Sequence, residues 1–211
     1  MNEQTFGQTR QTLHGVAEFV LAGPQYALSQ TVRLRVTPGG FGTVTTPHLR
    51  VEERELVSPS ARIPLEGTFA SLARGAGVEA RSLRDVYAGG PAIDPDDPLV
   101  LDTKAVEVLL HALADGHAAL RSFAPEQEPV LWPEHFDIAI VIGEANYGFS
   151  PGDELHAEPY AYVGPFGAVE GELWNATGFP GAELTYAELL AAPDPRAAAL
   201  EFFTTRKEAL A

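Results

Sequence analysis

The sequence predicts an α+β domain, with antiparallel sheet and helices on one face, as a single compact unit over residues 1–211. Three observations carry that expectation. Leu13, Val16, Ala17, Val20 and Leu21 recur at helical spacing, and so do Val106, Leu109, Leu110, Leu113, His117 and Leu120. Thr31-Val32-Arg33-Leu34-Arg35-Val36 alternates apolar and polar side chains with a period of two, the pattern of a half-buried strand. Phe136 to Ile142 is apolar on both faces, as a central covered strand is.

In chain order, the first helix covers residues 8–22 and Gly23-Pro24 stops it. The strand over 31–36 runs into the turn Pro38-Gly39-Gly40. His48–Val51 and Glu55–Val57 form a hairpin around Glu53-Arg54, and a short helix over 67–75 ends at Gly75-Ala76-Gly77. Residues 88–99 hold too many Pro, Gly and Asp residues to continue a regular element. Asp102 suits the N-cap of a long helix over 103–122. Strands over 136–142, 159–163 and 170–174 follow, and helices over 185–191 and 194–209 close the chain.

The two halves rhyme. Leu13-His14-Gly15-Val16-Ala17-Glu18 is echoed by Leu110-His111-Ala112-Leu113-Ala114-Asp115. A strand follows each, and then a Gly-rich turn with a Gly-Phe pair, Gly40-Phe41 or Gly148-Phe149. The expectation is a pair of pseudo-repeat halves, 1–87 and 102–211, joined by the Pro/Gly/Asp-rich connector 88–101, each an α-β-β-β-α unit. Chance likeness is the alternative.

Composition narrows the function. The 211 residues are 45% apolar and 20% charged, enough to build a sizeable core. The formal net charge of -15 repels phosphate backbones and anionic lipid heads, and the 14 Lys and Arg are scattered. Nucleic acid and membrane are therefore not expected as partners. The absence of cysteine excludes disulfides, thiolate nucleophiles and cysteine-bound zinc. No apolar run has the length of a membrane helix, and the start lacks a signal-peptide pattern, so a cytoplasmic location is expected.

Several short motifs resemble one family. They are Phe136-Asp137-Ile138-Ala139, Gly148-Phe149-Ser150-Pro151-Gly152 and Glu158-Pro159-Tyr160-Ala161-Tyr162, with Thr12-Leu13-His14, Leu184-Thr185-Tyr186 and Asp194-Pro195. Together they resemble the bacterial family catalogued as domain of unknown function 5996. Here the connecting loops are shorter, and His135 stands where an aromatic is expected before the Phe136-Asp137 pair. No activity is attached to that family; the resemblance implies one domain with a C-terminal functional strip.

The densest chemistry lies in residues 132–162, which hold His135, Asp137, Glu144, Asp153, Glu154, His156 and Glu158. If 136–142 pairs with 159–163, at the strand spacing of about 4.8 Å, His135 and Asp137 approach His156 and Glu158. Two imidazoles and two carboxylates suit a divalent metal such as zinc, manganese or iron, or acid–base work. The competing reading is solvated loop charge, above all for Asp153 and Glu154. Asp137 shares its strand face with Ala139 and Val141, so it needs a partner: an Arg, a strand-end hydrogen bond, or a site. Tyr160 and Tyr162 share a face, where they line a pocket or a core edge.

Other motifs carry less. Gly148-x-Ser150-x-Gly152 has the spacing of a nucleophile elbow, but Pro151 denies the helix that the elbow needs. His111 faces away from the apolar stripe, His14 falls on its flank, and His117 lies on the apolar face as a core histidine would. Asp94-Pro95-Asp96-Asp97 lacks the glycine and distal Glu of a calcium loop. The first reading is a small-molecule-binding domain with a pocket of Trp132, Phe149, Tyr160 and Tyr162 and the polar groups of His135, Asp137 and Glu158. The alternatives are a metal-dependent enzyme using His135, Asp137, His156 and Glu158, and a protein-partner-binding domain.

Overall fold

The computed structural model of the protein describes residues 2–153 and 155–210. Helix α1 covers Glu3–Gly15, and the Asn2 side chain caps it by accepting from the Thr5 N–H at 2.8 Å. The helical path does not stop at Gly23-Pro24. It widens into a π-helical segment over Val16–Ala22 and continues as α2, Gly23–Ser29, with Pro24 in the first turn. Proline has no N–H to give and crowds the preceding turn, but a new α segment after a π turn asks for neither.

Five strands follow: β1 (Leu34–Thr37), β2 (Gly40–Thr43), β3 (Arg50–Glu52), β4 (Glu55–Val57) and β5 (Arg62–Pro64). Helix α3 (Phe69–Gly75) starts at a Thr68–Ser71 capping box. The connector stays irregular apart from a bridge between Thr68 and Pro98. Asp102 does cap helix α4 (Thr103–Phe123), accepting from the Ala105 N–H at 2.9 Å. The second half adds β6 (Val130–Trp132), β7 (Asp137–Ile142), β8 (Ala145–Ser150), β9 (Tyr160–Pro165) and β10 (Ala182–Thr185), then α5 (Tyr186–Ala191) and α6 (Pro195–Ala209).

Among the described residues the ten strands form one antiparallel sheet in the order β10-β9-β8-β7-β6-β1-β2-β3-β4-β5. Read outward from the central β1–β6 pair, where Leu34 faces Leu131, each half has the same strand order. Each half also begins with a helix and follows its last strand with a short one, but it holds five strands where the expected α-β-β-β-α unit has three. The helices pack on one face. There Tyr147 meets Phe123 and Phe203 at ring distances of 5.0 and 6.1 Å. Gly116 lets α4 settle onto Phe149: a Cβ there would lie 2.5 Å from Phe149 Cβ. Buried side chains from Phe6 to Phe203 form a single cluster across both halves. Each large apolar side chain in it contributes roughly 1.5–3 kcal/mol.

Several sequence expectations need correction. Strands 136–142 and 159–163 do not pair, because β8 lies between them. The Gly-Phe pairs are in strands β2 and β8, not turns. Glycine breaks strand patterns in isolation, but here Gly40 lies against the Val51 backbone and Gly148 beneath the Tyr162 ring. Strand β7 starts at Asp137, since Phe136 holds a left-handed backbone (φ 55°). Residues 170–174 form turn and irregular backbone rather than a strand. Among the described residues no helix is long and apolar enough to cross a membrane.

Candidate functional site

Strand alternation sorts the predicted residues onto two faces. Phe149 points into the helix layer and is fully buried. Asp137, Tyr160 and Tyr162 occupy the opposite face. Asp137 is buried, and its side-chain partner is a tyrosine and not an Arg. The Tyr162 hydroxyl donates to Asp137 Oδ2. Burial pushes the Asp137 carboxyl above the usual carboxylate range, opposed by that hydrogen bond. Burial and the facing carboxylate push the Tyr162 phenol well above its own range.

A second network surrounds Asp153, which the sequence suggested was a solvated turn residue. Tyr160 donates to Asp153 Oδ2 at 2.6 Å, and the Leu155 and His156 N–H groups donate to Oδ1 at 2.7 and 2.8 Å. Burial opposes ionisation of Asp153, but these bonds together hold its carboxyl below the usual range. His156 lies between carboxylates, with Nδ1 3.2 Å from Asp153 and Nε2 2.9 Å from Glu183. Arg10 ties α1 to the same loop, donating to the backbone oxygens of Asp153 (2.8 Å), Ala157 (3.3 Å) and His156 (3.4 Å). Glu154 lies outside the described residues.

That loop forms one wall of a cleft of about 650 Å³. Its other walls are the first turns of α1 (Asn2, Glu3, Phe6), the outer stripe of α4 (Val108, His111, Asp115) and α5 (Tyr186, Ala187, Leu190). Positions 108, 111 and 115 follow helical spacing and so share a face. A capping box between Thr185 and Glu188 fixes the start of α5, and the Tyr186 N–H donates to Pro159 O at 2.8 Å. The Tyr186 hydroxyl donates to Asp115 Oδ2 at 2.6 Å, so α5 and α4 are joined across the cleft. An adjoining polar hollow of about 680 Å³ shares Asn2, Glu3 and Ala157 and reaches Arg10, Asp153 and Leu155.

Of the seven residues expected to bind a ligand, Glu158 lines this cleft; the other six do not. Trp132, on the central strand β6, pairs with Asp137 and lies under the Arg33 guanidinium, 5.7 Å from its ring centre. His135 is exposed beside Glu134. His135, Asp137, His156 and Glu158 were linked through a β7–β9 pairing that the sheet does not contain: Asp137 accepts from Tyr162, His156 lies by Asp153 and Glu183, and Glu158 lines the cleft. Among the described residues no three His, Asp or Glu side chains are grouped to hold a metal ion. His117 is half-buried near Glu128 (3.7 Å) rather than a core residue. His14 is half-buried: its ring stacks on Phe136 and its Nε2–H donates to Pro133 O at 2.7 Å. Burial lowers its pKa to about 4.

Sequence reasoning missed Phe6, Val108, Asp115, Tyr186, Ala187 and Leu190. The signal was present at Val108, an apolar residue on the polar face of α4. The fold and its cleft define an α+β protein with a helix-lined surface cavity. No family model, curated protein or solved structure matches the chain.

Proposed function

We propose that the protein is a small-molecule-binding domain whose site is the cleft between α1, α4, α5 and the 157–159 loop. The observation that carries this reading is the cleft's form. Its volume of about 650 Å³ suits a small ligand, and its walls are largely apolar with a few convergent polar groups. Val108 and Leu190 stay exposed there, 36% and 57%, where a ligand would cover them. The aromatic and acidic strip of the sheet then serves the site from behind: Tyr160, Asp153, His156 and Arg10 hold the loop that forms one wall. We also propose, on the motifs given above, that the chain is a member of the domain of unknown function 5996 family.

Native mass spectrometry of gently purified protein tests the binding reading. The expected result is an organic adduct on the wild type that is lost in Val108→Trp, which fills the cleft from an exposed position. An adduct retained in Val108→Trp, or a mass excess equal to a divalent metal, would contradict it.

A further inference from the structure

Resting on that reading of the cleft, we infer that its ligand is a small amphipathic amine, a protonated nitrogen on a hydrocarbon body. Among the described residues the cleft wall carries three carboxylates, Glu3, Asp115 and Glu158, and neither Lys nor Arg. The other titratable side chains among the described lining residues are His111 and Tyr186. The hydroxyl of Tyr186 is turned to Asp115, so it orients an acceptor instead of offering a donor to an anion. The Asn2 side-chain oxygen likewise caps α1. Arg10, in the adjoining hollow, directs its guanidinium at backbone oxygens of the 153–157 loop.

An anion entering the cleft would meet three carboxylates within the field of a chain of net charge -15. An ammonium group would meet complementary charge, while Phe6, Val108, Pro159, Ala187 and Leu190 take its hydrocarbon. Asp115, held by Tyr186, is the carboxylate with a fixed position, and it is the anchor.

The test is a two-dimensional amide NMR titration with n-hexylammonium, n-hexanol and n-hexanoate at equal concentration and low salt. Hexylammonium is expected to shift the amides of Val108, Ala187 and Leu190, to bind more tightly than hexanol, and to weaken as salt is added. Hexanoate is expected to bind least. Asp115→Asn, at an exposed position, should fold normally and lose about threefold to fivefold of hexylammonium affinity while leaving hexanol unchanged. Equal or tighter binding of hexanol or hexanoate in the cleft would overturn the amine inference and leave the cleft as a binding site. Shifts from none of the three would also overturn it, and the adduct experiment with Val108→Trp then decides the cleft separately.

Discussion

The phenol of Tyr162 reaches over Gly148, on the strand between, to donate its hydrogen bond to Asp137. Tyr162 pairs in register with Gly148, which pairs with Ala139, so the contact is diagonal across three strands. A methyl group at Gly148 would overlap the Tyr162 ring. Gly148→Ala should therefore displace the ring and strip a buried carboxylate of its donor. The expected loss is about 2–4 kcal/mol, combining overpacking with an unmade hydrogen bond. Tyr162→Phe should lose less, about 1–3 kcal/mol. Urea denaturation of the two variants checks the order. Neither should weaken an adduct bound in the cleft, because neither residue lines it.

Arg10 holds three backbone oxygens of the loop behind the cleft. Arg10→Ala should raise amide hydrogen exchange in residues 155–159 with little change in the sheet, and weaken cleft binding severalfold. Lysine has one compact ammonium in place of a planar fork, so Arg10→Lys should restore only part of both. Unchanged exchange in Arg10→Ala would remove Arg10 as the residue that positions this wall.

Glu18, inside the π-helical segment, is 1% exposed. Its carboxylate accepts from the Leu83 N–H (2.9 Å), Ser82 Oγ (3.1 Å) and Tyr87 Oη (3.1 Å). It anchors an otherwise irregular stretch of chain to the helix. Glu18→Ala leaves three donors without their acceptor and should cost about 2–5 kcal/mol. Limited proteolysis should then cut within residues 80–90 at protease levels that leave the wild type intact.

His14 makes stability depend on pH with a definite sign. Its pKa falls from 6.5 when unfolded to about 4 when folded. Between those values the unfolded chain binds the proton and the folded protein does not. Stability attributable to His14 is thus intact above pH 6.5 and declines as pH falls through the window to 4. One such group changes stability by at most about 1.4 kcal/mol per pH unit. Asp137, whose carboxyl is pushed up, acts in the opposite sense, so the comparison must be with a variant. His14→Gln should show a shallower fall in melting temperature from pH 6.5 to 4.5 than the wild type. Parallel curves would contradict the half-buried, unprotonated imidazole.

Much of the fold was legible because local signals agreed with tertiary packing. Asp102 and the stripe from Val106 to Leu120 gave α4, and the Glu53-Arg54 turn gave the β3–β4 hairpin. Pro24 misled because a π turn relieved the steric conflict that normally ends a helix. Gly40 and Gly148 misled because one sits in a strand against the Val51 backbone and the other beneath the Tyr162 ring, relations that only the assembled sheet reveals. The need of Asp137 for a partner was readable; Tyr162 was not, since it stands two strands away. The cleft draws on residues 2–6, 108–115, 157–159 and 186–190, four segments with no shared local pattern. Its one local trace was Val108, apolar on an otherwise polar helix face.

The most direct measurement is crystallography of the protein soaked with a chemically diverse set of fragments. The account predicts fragment density in the cleft, against Phe6, Val108 and Leu190, with polar atoms toward Asp115. Fragments gathered at another surface while the cleft stays free of them would contradict it.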